Sequence, residues 1–379
     1  MQYREFGRTG EKLSILGFGA MRLPVIDDDQ SKIDTDKAVE MVRYAIHNSI
    51  NYQDTAYPYH GGKSEAFCAE VMKDGYREKV NIATKSPVWE IKTPKDFDIK
   101  LNEQLDNLQV EQIDFYLLHA LSKDLWETAV KNDYKTFLDN AKKSGKIKYA
   151  GFSFHAGINT FKEIVDSYDW DFCQIQLNYI DENYQAGLEG LKYAHEKGLG
   201  VIIMEPLRGG MLAKAEQPRE VEALWNSSGI KRTPAEWALK YLWNFEEVSL
   251  VLSGMNAMEQ VAENIKTASE SLPHSLTDHE IEVIKKVKDY YKSKMLVDCT
   301  KCKYCMPCPT GVNIPENLWA YNHASLFNYL KRADHIINTW LKKEERASSC
   351  VQCGQCEEKC PQNIEIIKHL AIIANKYEK

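Results

Sequence analysis

Three short apolar runs, each closed by a polar residue, set the fold of this chain. Ile50-Asn51-Tyr52-Gln53 ends at Asp54, Val80-Asn81-Ile82-Ala83-Thr84 at Lys85, and Ile113-Asp114-Phe115-Tyr116-Leu117-Leu118 at His119. The closing residues lie 31 and 34 positions apart, the length of one strand-plus-helix unit in a parallel sheet. Further buried strands read near 15–21, 148–152, 172–177, 199–204 and 248–252. Helices read near 64–73, 96–107, 131–143, 159–168, 185–197, 233–243 and 257–268, and another starts at Thr35 with Ala38, Met41, Val42, Ala45 and Ile46 on its apolar face. Eight such units over about 255 residues match a (β/α)8 barrel in count and length. A small hairpin at 2–13, turning at Arg8-Thr9-Gly10, precedes them. The structural rival is a doubly wound sheet, but Gly17-x-Gly19 is followed by Arg22 where a dinucleotide fingerprint needs its third glycine.

A lysine-rich helix (278–294) leaves the barrel, and beyond Met295 the texture changes. Residues 1–294 therefore read as the barrel and 295–379 as a separate module. Eight of the ten cysteines lie in that module, only Cys68 and Cys173 falling earlier as core residues. The net charge of −7 argues against nucleic-acid or polybasic membrane partners. No apolar run approaches the roughly 18 residues that would span a bilayer, and residues 1–10 lack the apolar core of a signal peptide. The expected location is the cytoplasm, where crowded cysteines favour metal ligation over disulfides.

The carboxyl ends of parallel barrel strands share one rim. Asp54, Lys85 and His119 are thus expected to converge there, with Tyr59 on the loop just beyond. Taken singly, Asp54 suits a helix cap, Lys85 a snorkelling edge residue and His119 a structural strand end. Together they make an acid–base site. A phenol with its ordinary pKa of about 10 is a poor acid at neutral pH, but a nearby ammonium stabilises the phenolate. Lys85 would do this for Tyr59, with Asp54 holding Lys85 and His119 donating to a substrate oxygen.

The motifs Asp54-Thr55-Ala56-x-x-Tyr59, Ala83-Thr84-Lys85 and Asp114-x-Tyr116-Leu117-Leu118-His119 resemble those of the aldo-keto reductases over roughly residues 2–290. The resemblance implies a catalytic tetrad of Tyr59 as acid/base, Lys85 as its pKa partner, Asp54 as the anchor and His119 as the substrate orienter. It also implies a nicotinamide nucleotide across the barrel mouth and a small carbonyl compound as substrate. Ser153 and Gln174 match the carboxamide-binding residues, although Phe154 stands where an asparagine usually follows the serine. Met204 takes the ring-stacking position, and Ala20, Met21, Asp54, Pro206, Leu207 and Gly209 line the path. Ser253, Gly254, Asn256, Gln260 and Asn264 match the adenosine-phosphate segment, with Asn256 and Glu259 capping the eighth helix. Relatives selective for the 2′-phosphate carry lysine and arginine where Gly254 and Gln260 stand. NAD and NADP both remain candidates, with weak discrimination expected.

The module holds Cys299-x2-Cys302-x2-Cys305-x2-Cys308-Pro309 and Cys350-x2-Cys353-x2-Cys356-x3-Cys360-Pro361. Four thiolates are what a [4Fe–4S] cube needs, and the second run has the bacterial ferredoxin spacing. Likeness to two-cluster ferredoxins implies two [4Fe–4S] clusters with crossed ligation. One would be held by Cys299, Cys302, Cys305 and Cys360, the other by Cys350, Cys353, Cys356 and Cys308. The first run departs by one residue, and structural zinc is the alternative. Leu326, Tyr329, Leu330, Ala333, Ile336 and Ile337 follow helical spacing between the runs, so the module reads as a helical ferredoxin.

The leading reading is an NAD(P)H-dependent reductase of an aldehyde or ketone. Its clusters either shape the protein or exchange electrons with ferredoxin or another one-electron carrier. The alternative is a redox-sensing or electron-transfer subunit that holds nucleotide without carbonyl turnover. Loops 24–34 and 120–130 are the places where substrate choice is expected to reside.

Overall fold

Eight parallel strands close on themselves in chain order. They are β3 (Leu16–Gly19), β4 (Tyr52–Asp54), β5 (Asn81–Ser86), β6 (Ile113–Leu121), β7 (Ile147–Phe154), β8 (Phe172–Gln176), β9 (Gly200–Met204) and β10 (Leu250–Ser253), with β10 paired to both β9 and β3. The computed structural model describes residues 1–27, 29–326, 333 and 336–378. It divides into two compact units, residues 1–206 with 235–276 and residues 207–234 with 277–379.

The first unit is the barrel. Its hairpin, β1 (Tyr3–Glu5) and β2 (Lys12–Ser14), pairs antiparallel as expected from the sequence. Phe6 follows β1 and is fully buried, its ring 5.3 Å from that of Phe115 and 5.6 Å from that of Phe172. A side chain at Gly200 would begin only 2.7 Å from the Phe6 ring, so glycine is required there. This packing plugs the amino-terminal end of the barrel and leaves the opposite rim for chemistry.

Helix α1 (Thr35–His47) buries the expected face of Ala38, Met41, Val42, Ala45 and Ile46. Its cap is Asp34, which accepts from the Lys37 N–H at 3.4 Å, rather than Thr35. Next come α2 (Ser64–Val71) and α3 (Pro94–Leu108), the latter opened by a reciprocal Thr93–Asp96 cap. The stretch expected as a long loop and one helix from 131 forms two helices, α4 (Lys123–Lys131) and α5 (Tyr134–Lys143). Ser122 caps α4 by accepting from Leu125 N–H at 3.2 Å, and left-handed Asp133 (φ 54°) separates the pair. Helices α6 (Ile158–Ser167), α7 (Gly187–Glu196), α9 (Pro234–Trp243) and α10 (Met258–Ser269) follow the expected order, and α8 (Arg219–Ser227), which the sequence reading did not place, comes between α7 and α9 in the chain. At α10 the expected Asn256–Glu259 cap is absent. Ala257 holds the cap position, and the Asn256 N–H donates to Gln260 Oε1 at 2.9 Å.

The second unit contains a 3-10 turn (Arg208–Ala213), α8, α11 (Asp278–Lys294), α12 (Ile314–Leu326), α13 (Gln355–Glu358) and α14 (Ile366–Tyr377). Thr277 and Glu280 cap α11 reciprocally, and Arg232 pairs with Glu280 at 2.5 Å. The Tyr291 hydroxyl donates to Gln217 at 2.7 Å. These bonds tie residues 207–234 to α11. Val312, Leu318, Ala324, Ile337, Leu370 and Ile373 form an apolar centre. Leu326, Ala333 and Ile336 are buried as their spacing implied, while Tyr329 and Leu330 lie outside the described residues. Among the described residues, no helix is long and apolar enough to cross a membrane.

Candidate functional site

Asp54 ends β4, Lys85 sits one residue before the end of β5, and His119 lies near the end of β6. The parallel register puts all three at one rim. Lys85 Nζ lies 2.7 Å from Asp54 Oδ2 and donates to Thr55 O at 2.6 Å. Lys85 is 0% and Asp54 3% exposed. Burial drives the Lys85 pKa down and the Asp54 pKa up, and the mutual attraction opposes both shifts. Lys85 Nζ is also 5.0 Å from the centroid of the Tyr59 ring. Tyr59 opens the turn Tyr59–Gly62, which His60 (φ 54°) anchors by meeting Gln30 O at 2.8 Å and Ala20 O at 3.0 Å.

The Tyr59 and His119 rings are 6.1 Å apart, edge to face. His119 is buried, and its pKa is held well below the ordinary imidazole range, first by burial and then by the charge of Lys85 and by His155. A neutral imidazole is therefore available to donate a hydrogen bond without carrying charge. Pairing of β6 with β7 shifts register between Leu118 and Leu121, and Ala120 takes φ 55°. Such a bulge re-aims the neighbouring side chain. The structure thus gathers the four sequence-predicted residues at one rim of the barrel.

Several supporting residues were not foreseen. Trp89 lies beside His119 with ring centroids 5.1 Å apart and the ring planes tilted by 52°. Buried Glu65 accepts from Thr84 Oγ1 at 2.6 Å and from Gln104 Nε2 at 2.6 Å, and Gln104 also donates to Lys85 O at 3.0 Å. This network braces β5 from behind the lysine. Its only sequence signal was Gln104, a polar residue in the apolar stripe of Phe97, Leu101, Leu105 and Leu108.

The proposed nucleotide contacts occupy neighbouring strand ends. Ser153 and Gln174 are direct register partners on β7 and β8, and Gln174 Nε2 donates to Met204 Sδ on β9 at 3.4 Å. Ser153 Oγ accepts from Ala120 N–H at 2.7 Å, leaving its own proton to give. Gln174 Oε1 is buried with no hydrogen-bond partner among the described residues. Two such groups side by side fit an amide ligand. Ala20 and Met21 lie in the turn after β3, and Asn264 Nδ2 donates to Ser253 Oγ at 3.1 Å. Pro206 ends the first segment of the barrel unit, while Leu207 and Gly209 fall in the second unit.

At Gly254 the structure adds a cation that the sequence reading missed. The aliphatic carbons of Arg22 lie 3.1–3.2 Å from where a side chain on Gly254 would begin. The bare glycine is what lets the Arg22 stem cross it.

In the second unit the cysteines surround two spaces. One is lined by Cys299, Cys302, Cys305 and Cys360. The other is lined by Cys308, Cys350, Cys353 and Cys356, with Cys305 at its margin. Both runs start with the same backbone course. Residues two and four after the first cysteine are left-handed, Lys301 and Lys303 in one run and Gln352 and Gly354 in the other. Lys301 N–H donates to Cys299 Sγ at 3.5 Å and Gln352 N–H to Cys350 Sγ at 3.4 Å. Each loop therefore curls its backbone N–H toward sulfur, as thiolate ligands require. Burial opposes ionisation of Cys308, but hydrogen bonds from Thr310 and from the backbone of Thr310, Val312 and Gly311 prevail and lower its pKa. Among the described residues no disulfide forms, and no three His, Cys, Asp or Glu side chains converge on one point as ligands of a single metal ion would. Cys68 and Cys173 are fully buried in the barrel unit, and burial pushes both thiols up, which leaves them inert.

Comparison with known proteins agrees with this geometry. Residues 15–289 match the model of the aldo/keto reductase family, and residues 298–365 that of a 4Fe-4S dicluster domain. L-galactose dehydrogenase of Arabidopsis thaliana is 28% identical over 296 residues, covering 71% of this chain and 89% of that protein. NADH-specific methylglyoxal reductase of Escherichia coli is 23% identical over 300 residues, covering 68% and 91%. The holo form of aldo-keto reductase AKR11C1 from Bacillus halodurans superposes with a TM-score of 0.64 at 26% identity, covering 76% of this chain and 96% of that one. With the fold, the rim and the cysteine runs in agreement, the chain belongs to the aldo/keto reductase family of oxidoreductases and carries a C-terminal 4Fe–4S ferredoxin-type domain.

Proposed function

We propose that residues 1–294 reduce an aldehyde or ketone to an alcohol with NADH or NADPH, and that residues 295–379 hold two [4Fe–4S] clusters. The observation that carries the reductase reading is the solvent-excluded Lys85–Asp54 pair beneath the Tyr59 ring. The nicotinamide, when bound, supplies the hydride. Tyr59 delivers the proton to the carbonyl oxygen, so that one hydride and one proton account for the CH–OH formed. The Lys85 charge stabilises the resulting tyrosinate, Asp54 keeps that charge in place, and neutral His119 orients the substrate oxygen. Ser153 and Gln174 hold the carboxamide that sets the reacting face of the nucleotide.

Arg22 gives the adenosine end a cation beside Gly254, which supports use of NADPH. The relative named NADH-specific supports use of NADH. The crossed cysteine sets lining the two spaces support two clusters over a structural zinc site. When bound, the clusters pass single electrons, which fits a ferredoxin or similar carrier as partner.

The test is turnover of aldehydes, ketones and quinones by anaerobically purified protein with each nucleotide, beside Tyr59→Phe. Reduction by the parent protein and its loss in a variant that still binds nucleotide is the expected result. Near-normal turnover by Tyr59→Phe removes the tyrosine from its role. Nucleotide binding without turnover of any carbonyl compound favours the sensing subunit.

A further inference from the structure

Helix α3 carries Lys100 beside its buried stripe of Phe97, Leu101 and Gln104. The lysine side chain is 17% exposed, and its ammonium meets acceptors from three segments of the barrel unit. Nζ lies 2.7 Å from Glu90 Oε2, donates to the Tyr57 hydroxyl at 3.0 Å and lies 3.1 Å from Glu103 Oε2. An ammonium has three N–H donors, so each of them has its acceptor. The Tyr57 hydroxyl in turn donates to Glu103 Oε1 at 3.4 Å. A single exposed ion pair holds its partners weakly, whereas a network around a largely buried cation is screened less by water. Glu103 lies one turn further along α3 and fixes the lysine on its own helix. Tyr57 and Glu90 belong to two different loops of the rim.

Those two loops carry rings of the candidate site. Tyr57 stands two residues before Tyr59, in the loop that leaves β4. Glu90 closes the 3-10 turn Val88–Glu90 and directly follows Trp89. Val88 and Ile91 are buried and anchor the two ends of that turn, while Trp89 between them is 40% exposed. Burial thus fixes the stem of the turn, and the Glu90–Lys100 contact ties down the part that carries the exposed ring. Trp89 and Tyr59 both stand by His119, with ring centroids 5.1 and 6.1 Å from the imidazole. Lys100 touches none of these three rings, yet it ties together the loops that bear two of them.

We propose, building on the reductase reading above, that Lys100 is a positioning residue. It joins the Tyr57 loop and the Glu90 turn into one wall and so sets where the Trp89 ring stands against His119. An aromatic face in that place favours carbonyl compounds that bear a flat apolar substituent, because ring-to-ring contact adds to the area buried. Small aliphatic aldehydes gain nothing from it. The wall therefore acts on substrate binding, while the proton and hydride steps stay with the groups already described. No bond is made or broken at Lys100.

The test is steady-state kinetics of the full chain with benzaldehyde and propanal, beside fluorine magnetic resonance of protein labelled with fluorotryptophan. Trp89→Phe assigns the Trp89 signal among the eight tryptophans. Lys100→Met and Glu90→Gln are each expected to displace or broaden that signal while the others stay. Each should raise KM for benzaldehyde about threefold to tenfold, the span of one aromatic contact, with kcat and the KM for propanal unchanged. Lys100→Arg should restore most of the parent values. The two substitutions together should cost no more than either alone, because both break the same tie. A merely structural role adds the two losses and lowers stability and kcat without distinguishing the aldehydes. Should Lys100→Met fail to fold, Glu90→Gln, which leaves the Tyr57 and Glu103 contacts in place, decides the matter alone. A parent-like Trp89 signal in the folded variants overturns the proposal, as does a displaced signal with parent KM for benzaldehyde. Failure of the reductase reading looks different: the parent protein reduces neither aldehyde with either nucleotide, and the Trp89 signal then decides by itself whether Lys100 places the ring.

Discussion

The Lys85 ammonium lies 2.7 Å from an Asp54 carboxylate oxygen, and neither residue has more than 3% of its surface exposed. Asp54 Oδ1 has no hydrogen-bond partner among the described residues, so the carboxylate depends on this one strong contact. Taking away one partner of a buried pair leaves the other charge stranded, which costs about 3–5 kcal/mol. Asp54→Asn should therefore lower the unfolding free energy by about 3 kcal/mol. Burial already depresses the Lys85 pKa, and loss of Asp54 removes the main force opposing that depression. Activity should then fall through kcat more than through KM, because the lysine loses the charge that serves Tyr59. Denaturant unfolding together with steady-state kinetics checks this. A variant with parent stability and parent kcat would show the pair to be dispensable.

The two buried histidines of the rim give the barrel unit an acid limit. Burial lowers the His155 pKa from 6.5 to about 4, with a hydrogen bond to Gln185 at 3.2 Å opposing the fall, and burial lowers that of His119 as well. Below pH 6.5 the unfolded chain takes up protons at these positions and the folded chain does not. The stability contribution is thus fully present above pH 6.5 and is lost as the pH falls. For His155 alone the loss reaches about 2 kcal/mol at pH 5. Urea unfolding at pH 7.5 and pH 5, with His155→Gln for comparison, should show a shallower pH dependence in the variant. Equal slopes would mean that His155 is protonated in the folded state.

The barrel and its tetrad were legible because each signal is local. A strand end carries its polar residue in sequence, and the unit length repeats, so Asp54, Lys85 and His119 could be placed on one rim without coordinates. The cysteine runs were legible for the same reason. What escaped depends on contacts between distant segments or on the backbone course of a loop. Trp89 meets His119 only because the turn after β5 folds beside β6. The Glu65–Gln104 network joins α2 to α3 behind β5. Helix α4 was hidden because its N-cap, Ser122, comes directly after a strand that runs three residues past Leu118. The cap of α10 was misplaced because Gln260, one turn into the helix, reaches back to Asn256 in place of Glu259.

Arg22 and Gly254 stand far apart in sequence yet pack together because β3 and β10 are neighbours. A charge-assisted hydrogen bond contributes about 1.5–3 kcal/mol. Arg22→Ala should therefore weaken NADPH binding about tenfold or more while changing NADH binding less than about threefold. Fluorescence titration of each nucleotide gives the two constants directly. Equal losses for both would assign Arg22 to packing at Gly254, and the weak discrimination expected from Gly254 and Gln260 alone would stand.

The crossed cysteine assignment yields the most direct structural test. Cys360 lines one space with Cys299, Cys302 and Cys305, although 51 residues lie between it and Cys308 and only three between it and Cys356. Cys308 lines the other space with Cys350, Cys353 and Cys356. Each run therefore contributes three neighbouring thiols to one set and its last, proline-followed thiol to the other. Replacing Cys360 with serine removes a ligand from the first set only. Iron should fall toward one cluster per chain, and alkylation of the native protein followed by mass spectrometry should label Cys299, Cys302 and Cys305. Cys308→Ser should give the reverse, exposing Cys350, Cys353 and Cys356 to the reagent. Ligation within each run predicts the opposite pattern, with Cys360→Ser freeing Cys350, Cys353 and Cys356. The two arrangements thus leave different thiols reactive after the same substitution, and the labelled peptides decide between them even where a variant keeps part of its iron.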